Sequence, residues 1–383
     1  MDQPNKPLHV THIASGDLWA GAEVQLFTLC KPLHRMANVN VSVILLNHGT
    51  LEEKLKKQDI PVTILDETRL NGFQIIKCIH RTLKQNKPDI VHTHRLKENI
   101  LGSLAAKATG IPSLRTIHGA PEHALDWRRP HKALFYILDW ITGFFIQEGI
   151  IVVSGELKTT LTNIYPAKKL KVIENGVDLE TLTPYCRSPE ERIIPTGPYK
   201  IGLVARLVPV KRVDLFIQTA TYLRKHHPEI QAHFHIYGGG PLRSELEDLT
   251  RKHKIEDIVH FEGHCDDIHQ QIASLDVLLI TSDHEGLPMT LLEAMAIGIP
   301  VVAHATGGIS KACNFGEYCW LSDDNSAHMI SLKLNDCLRN NVSLINKTIS
   351  AQHQIKKNYS AFNQTNLYIA TYLEIVKRRK FYP

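Results

Sequence analysis

The sequence predicts an α/β protein built as two doubly wound parallel sheets. Three observations predict it. Short β-branched runs alternate with amphipathic helical stretches from the first residues onward. That alternation breaks once, in a polar, proline-bearing segment near the middle, and then restarts. The length of 383 residues exceeds what one ordinary core accommodates and suits two domains.

The elements follow in order. "LHVTHIA" reads as the first strand, "AEVQLFTLCKPL" as a helix and "VNVSVILLN" as the next strand. "DIVHTH" follows a long amphipathic stretch and is strand-like, as are "SLRTIHG" and "GIIVVSG" (Gly149–Gly155). "KVIENGVDLETLTPYCRSPEERIIPTGPYK" then holds an Asn-Gly turn and several prolines, the signature of a linker near Asn175–Pro198. "YKIGLVARL" restarts the pattern as a strand, followed by the helix "DLFIQTATYLRKHHP" and the strand "QAHFHIYGGG", which runs into a glycine loop. "LRSELEDLTRKHK" and "IHQQIASL" read as helices; "IVHFEG", "DVLLITS" and "GIPVVAHA" read as strands. The expected domains are residues 1–178 and 179–360, with a ligand cleft between them. The last helical stretch, about 361–380, has no strand partner of its own and can return to either half; it is assigned to the first.

Composition narrows the class. Hydrophobic residues make up 43% and charged residues 22%, an ordinary globular balance. The net charge of +5 is mild and suits an anionic substrate or an anionic membrane surface. No basic tract is interleaved with aromatics, so no nucleic-acid partner is expected. Seven cysteines, an odd number with no C-x-x-C pair, read as reduced, buried thiols of a cytoplasmic protein. "MDQPNKPLHVTHIASG" lacks the charged and apolar regions of a signal peptide. "ALFYILDWITGFFI" (Ala133–Ile146) is interrupted by Asp139 and is too short to span a bilayer; a core helix is expected, with a membrane-surface helix as the alternative.

Several stretches could carry chemistry. In "EGLPMTLLEAMAIGIPVVA" the carboxylates Glu285 and Glu293 stand eight positions apart, bracketing a Gly-Pro loop and the start of an apolar helix. "VARLVPVKR" puts Arg206 just after a strand and Lys211 five positions on, where two cations can grip a diphosphate or simply form a solvated basic loop. Gly238-Gly239-Gly240-Pro241 follows a strand and opens a helix, which suits either phosphate binding or a tight turn. "GDLWAGAEVQ" is the first strand–helix turn, where Gly21 lets a ligand approach the backbone. His118 in "TIHG" ends a strand and can meet a hydroxyl or a developing charge. His92 and His94 in "VHTHR" share a strand face and, with His118, invite a metal reading. No carboxylate or cysteine at matching spacing accompanies them, so no metal is assigned there, nor at "HCDDIH" (His264–His269). The chain has no Asp-x-Asp triplet, which disfavours a nucleotide-sugar enzyme that grips phosphates through a metal. It also lacks G-x-G-x-x-G and the P-loop, which disfavours an NAD-dependent dehydrogenase.

With "TIHG", "ENGVD", "VARLVPVKR", "GGGP" and "EGLPMTLLEAMAIGIPVVA" in this order, the chain resembles the retaining glycosyltransferases of the large bacterial E-x7-E group, "glycosyl transferases group 1" of the glycosyltransferase family 4 type. The resemblance covers nearly the whole chain. It implies the GT-B fold, two Rossmann-like domains facing a central cleft, the first on the acceptor side and the second on the donor side. It implies transfer of a sugar from a UDP- or GDP-linked donor to a glycan or lipid-linked acceptor, with no cofactor and no metal. In that reading Glu285 binds the donor sugar and steadies charge at the anomeric carbon. Backbone N–H groups of Gly286, Leu287 and Met289, in the donor-binding loop that Pro288 completes, face sugar and phosphate, and Glu293 holds the ribose. Arg206 and Lys211 bind the diphosphate, Gly240 belongs to the donor loop, His118 reaches the sugar, and the Gly21 loop closes over the phosphates. Ala20 stands where the family often has Gly, and Lys311 where it often has Glu. The resemblance also implies cell-surface glycan synthesis at the inner face of the plasma membrane, with "WRRPHKALFYILDW" (Trp127, Arg128 and Arg129 foremost) as the membrane-facing segment. A nucleotide-sugar epimerase of the same architecture and a catalytically inactive nucleotide-sugar-binding protein are the alternatives.

Overall fold

The computed structural model describes residues 6–119, 130–188 and 197–381. The chain divides into two compact units, one running to Gly176 and rejoined from Ala361 onward, the other spanning Val177–Ser360. Each is a parallel sheet wrapped by helices.

Unit 1 carries β1 (Leu8–Ala14), β2 (Val39–Leu45), β3 (Val62–Ile64), β4 (Ile90–His94), β5 (Ser113–Ile117), β6 (Gly149–Val152) and β7 (Leu170–Val172). Their spatial order is β3-β2-β1-β4-β5-β6-β7, with every pairing parallel. The central strands are buried on both faces because helices cover both. Along β1 the period of two sorts the side chains. Val10 and Ala14 pack against Leu26 and Leu29 of helix Gly21–Arg35 and against Tyr368 and Tyr372 of helix Ala361–Phe381. Ile13, on the other face, meets Ile75, Ile79 and Leu83 of helix Gly72–Asn86. That helix starts where Asn71 and Gln74 exchange side-chain-to-backbone bonds, a capping box that satisfies two otherwise orphaned N–H groups.

Unit 2 carries β8 (Tyr199–Val204), β9 (Ala232–Tyr237), β10 (Val259–Gly263), β11 (Val277–Ile280), β12 (Val301–His304) and β13 (Trp320–Ser322), ordered β10-β9-β8-β11-β12-β13 and again all parallel. Its core joins Ile201, Phe234, Val277 and Leu279 of the sheet to Phe216 of helix Val213–His226. In both sheets the strand order reverses once, between β1 and β4 and between β8 and β11. The region beyond the carboxyl ends of the strands at such a switch point is the usual ligand position in doubly wound sheets.

Two expectations need correction. Ala133–Ile146 is not a core helix: helix Pro130–Ile141 runs into a π-helical turn, Thr142–Ile146, and Leu134, Phe135 and Phe145 are 56%, 50% and 66% exposed. Asp139 interrupts the apolar run because it receives the buried Arg115 guanidinium at 2.7 Å. The cysteines are all free thiols, but only Cys30, Cys313, Cys319 and Cys337 are buried, and Cys186 is exposed. Trp127, Arg128 and Arg129 lie outside the described residues. No helix among the described residues is long and apolar enough to cross a membrane.

Candidate active site

At the switch point of unit 2, the loop after β8 and the loop after β11 are tied together. Thr281 Oγ1 donates to the carbonyls of Lys211 (3.1 Å) and Arg212 (2.9 Å), and the Asp283 N–H donates to the Val210 carbonyl at 3.0 Å. Arg212 sits at the start of helix Val213–His226 in a left-handed conformation, φ +49°. Its guanidinium bridges Asp214 (3.0 Å) and Asp283 (3.1 Å), and Asn325 Nδ2 donates to the same Asp283 carboxylate at 2.8 Å. This brace sets Lys211 Nζ 2.6 Å from Glu285 Oε1, with the Lys211 side chain 25% and the Glu285 side chain 9% exposed. Arg206 stands at the carboxyl end of β8 with its side chain exposed.

The Glu285 loop is backed by two glycines. Gly307 has φ +57°, and a Cβ there would lie 1.7 Å from the Glu285 carbonyl oxygen. The Gly308 N–H donates to the Gly286 carbonyl at 2.6 Å, where a Cβ on Gly308 would come within 2.5 Å. Gly286 and Leu287 are buried, and Pro288 (φ −70°, ψ 134°) forms the N-cap of helix Met289–Ile297. The N–H groups of that first turn precede any intrahelical acceptor. Glu293 lies inside this helix, 6% exposed, with His269 Nε2 3.5 Å from its Oε1. The His269 ring in turn lies 5.6 Å from the Tyr185 ring, whose hydroxyl donates to Asp267 at 3.0 Å.

Gly240 has a steric reason for being glycine. Its Cβ would fall 2.5 Å from the Leu207 carbonyl oxygen, and a Cβ on Gly238 (φ +133°) would fall 2.0 Å from that of Ala205. Leu207 N–H donates to Gly239 and Leu242 N–H to Leu207, so this loop is packed backbone to backbone on the loop that carries Arg206. Two concavities of unit 2, about 380 Å³ beside Phe315 and Trp320 and about 420 Å³ beside His233 and Asp257, are lined by neither Lys211 nor Glu285.

In unit 1, His118 follows β5 directly, and its Nε2 lies 3.2 Å from His94 Nδ1. His94 Nε2 reaches His12 Nδ1 at 3.1 Å, while His92 is held by the hydroxyls of Tyr372 (2.7 Å) and Thr116 (2.8 Å). Burial strips solvent from all four imidazoles: His12 and His118 fall to about 3, and His92 and His94 fall well below the ordinary histidine value. The four rings are therefore neutral. His12, His92 and His94 form the one cluster of potential metal ligands among the described residues; the residues of His264–His269 do not converge on one. Gly21 is the first residue of its helix, and a Cβ there would meet nothing within 4 Å. Ala20 before it is extended (φ −136°), so this position needs no glycine. Glu23 accepts the Ala20 N–H at 3.3 Å and pairs with Arg95 at 2.8 Å; burial raises its pKa against the opposing pull of Arg95.

Sequence reasoning singled out Lys211, Glu285 and Glu293, and named His269 only within "HCDDIH"; it did not anticipate the brace of Arg212, Asp283 and Asn325, the backing of the Glu285 loop by Gly307 and Gly308, the contact of His269 with Glu293, or His12. Each depends on a partner distant in sequence. The one local signal was "TGG" before Ile309.

Two parallel α/β units, with cationic and acidic loops joined at a switch point, are the architecture of GT-B glycosyltransferases. The family description "Glycosyltransferase Family 4" matches residues 19–181 and "Glycosyl transferases group 1" matches residues 187–360, which together take in most of the chain. An Escherichia coli UDP-Gal:alpha-D-GlcNAc-diphosphoundecaprenol alpha-1,3-galactosyltransferase is 26% identical over 269 residues, 67% of this chain and 68% of its own. A D-inositol 3-phosphate glycosyltransferase of Pseudarthrobacter chlorophenolicus is 24% identical over 84% of this chain and 78% of its own. Among solved structures, Anabaena Alr3699/HepE in complex with UDP-glucose superimposes with a TM-score of 0.80 at 20% identity, covering 95% of this chain and 99% of that one. The chain belongs to the glycosyltransferases of the family 4, group 1 type.

Proposed function

We propose that this glycosyltransferase moves a sugar from a UDP-linked donor to a hydroxyl of a glycan or lipid-linked acceptor, with retention at the anomeric carbon and without a metal, in the synthesis of a bacterial surface polysaccharide. The observation that carries the reading is the Lys211–Glu285 pair at the switch point of unit 2. An ammonium has three donors. One holds Glu285, and the other two are left for phosphate oxygens. Glu285 then faces the sugar, where its carboxylate accepts hydrogen bonds from the hydroxyls and steadies positive charge at the anomeric carbon. Arg206 joins Lys211 on the diphosphate, Glu293 takes the ribose hydroxyls, and the N–H groups of Gly286, Leu287 and Met289 point at sugar and β-phosphate. On unit 1, His118 and the Gly21 loop contact substrate.

In the step itself the bond from the anomeric carbon to the β-phosphate oxygen breaks, and the acceptor oxygen bonds the same carbon from the same face. The acceptor's proton passes to the departing phosphate. Two cations on that phosphate supply charge stabilisation that a metal supplies elsewhere. UDP is preferred because the galactosyltransferase relative is named for a UDP donor and Alr3699/HepE was solved with UDP-glucose.

Thermal unfolding with UDP, GDP and ADP, in EDTA and then with Mg²⁺, tests this on wild type and Glu293→Ala. Ligand at one hundred times its Kd stabilises by about 2.7 kcal/mol. UDP should raise the melting temperature in EDTA and lose that effect in Glu293→Ala. No shift with any nucleotide, or a shift only with Mg²⁺, rejects the site as drawn. The exposed Leu134, Phe135 and Phe145 support a second element of the reading, docking on an anionic membrane. Flotation with anionic liposomes tests it, and absence of binding at low salt removes it.

A further inference from the structure

Histidines 12, 94 and 118 form a hydrogen-bonded wire across one face of the unit 1 sheet. β1 and β4 register His12 beside His92, and β4 and β5 register His94 beside Thr116. The imidazole contacts run diagonally from these pairs toward the carboxyl edge: His12 Nδ1 to His94 Nε2 at 3.1 Å, then His94 Nδ1 to His118 Nε2 at 3.2 Å. One nitrogen is left over at each end. His12 Nε2 and His118 Nδ1 are both buried and have no hydrogen-bond partner among the described residues.

A neutral imidazole carries one N–H. His94 has an imidazole on each side, so it donates through one nitrogen and accepts through the other, and its choice dictates both neighbours. In one arrangement every proton sits on Nδ1: His12 donates to His94, His94 donates to His118, and His118 Nδ1–H is the free end. In the other every proton sits on Nε2, and the free N–H is that of His12, in the core. A buried N–H with no acceptor is among the most costly groups to leave unpaired. His12 is surrounded by Tyr372, His92 and His94 and has none to offer. His118, by contrast, lies just past the end of its strand and is a partly exposed residue, so a ligand docking at that edge can bring an acceptor to its Nδ1, which the fold itself leaves unpaired. We propose that His12 and His94 are positioning residues that hold His118 as its Nδ1–H tautomer, so that it meets substrate as a neutral donor to a hydroxyl or phosphate oxygen. This rests on the reading of His118 as a substrate contact. The desolvation that keeps the three rings uncharged supports it.

A metal ion is the competing use of these rings, since His12, His92 and His94 each offer a nitrogen within 4.8 Å of the others. However, His92 already spends both nitrogens on hydroxyls, and the facing nitrogens of His12 and His94 are spent on each other.

The test is two-bond ¹H–¹⁵N spectroscopy of the ligand-free full chain with ¹⁵N-labelled histidine, assigned by single substitutions, together with metal analysis of the purified protein. Nδ1–H is expected on all three rings. His12→Phe removes the first donor without touching His118; it should mix the His118 tautomers and raise KM for the UDP-sugar about tenfold with little change in kcat. His12→Asn, whose amide nitrogen replaces Nδ1, should restore both. A proton on Nε2 of His118, a His118 tautomer indifferent to His12→Phe, or stoichiometric metal overturns the proposal. Should His12→Phe not fold, the wild-type spectrum decides alone. His118→Ala separates the two layers: undiminished donor binding, with the Nδ1–H pattern present in wild type, removes the substrate contact and leaves the wire.

Discussion

Lys211 Nζ and Glu285 Oε1 meet at 2.6 Å although 74 residues separate them. One follows β8 and the other β11, the two strands between which the unit 2 order reverses. Thr281, Arg212, Asp283 and Asn325 hold the loops together from behind. The pair is therefore presented by a rigid base, and neither charge stands alone in its half-buried setting.

Glu285→Gln should keep the fold and lower kcat by about a hundredfold or more, because the amide cannot steady positive charge. Lys211→Ala should cost about 1–3 kcal/mol of stability as well as activity, since it leaves a nine-tenths-buried carboxylate without its donor. A double-mutant cycle in urea and in turnover checks both. Additive effects would mean that the two side chains act separately, against the geometry.

Gly307→Ala and Gly21→Ala should behave oppositely. At Gly307 a Cβ collides with the Glu285 carbonyl, and φ +57° is itself unfavourable by about 1–2 kcal/mol for a side chain. The loop must move, and both stability and nucleotide binding should fall. At Gly21 a Cβ meets nothing, so stability should stay within about 0.5 kcal/mol. Any loss there would be in turnover. Urea unfolding and UDP titration of the two variants distinguish these outcomes.

Much of this was legible in the sequence. β1, β2, β4, β8 and β9 have five to seven residues each, long enough to be read as strands, and both sheets follow from their alternation with helices. β3, β7 and β13 have three residues each, too few to carry a pattern. Glu285 and Lys211 were visible as acids and cations at strand ends. The Arg212–Asp283–Asn325 brace was not, because only the strand order brings those loops together. His12 was hidden for the same reason: its alignment with His92 depends on β1 pairing with β4. Ala133–Ile146 was misjudged because an apolar run reads alike whether it faces a core or solvent.

Tyr372→Phe should destabilise more than Tyr368→Phe. Tyr372 bonds His92 at 2.7 Å, and its loss strands a fully buried ring nitrogen, at about 1–3 kcal/mol. Tyr368 makes only longer contacts, 3.2 Å to Gln25 and 3.4 Å to Thr116, and should cost about 0.5–1.5 kcal/mol. Both sit on helix Ala361–Phe381, so the comparison holds packing nearly constant. The reverse order in chemical unfolding would contradict the hydrogen-bond assignment.

Acid should unfold the protein earlier than its carboxylates alone would predict. His12, His92, His94 and His118 titrate far below 6.5 when folded and near 6.5 when unfolded. The unfolded chain thus binds about four more protons between these limits, and stability falls as pH drops below 6.5. Glu98 works the other way: burial pushes it up to about 7, so its contribution to stability is present at low pH and lost as pH rises through 7. Each group is worth about 1.4 kcal/mol per pH unit inside its window, so four histidines outweigh one glutamate. The net expectation is a loss of about 4 kcal/mol between pH 7.5 and pH 5.5, read from urea midpoints at fixed ionic strength. A flat profile over that range would mean that these histidines are solvated or already charged in the folded protein, and the buried imidazole wire would not exist as drawn.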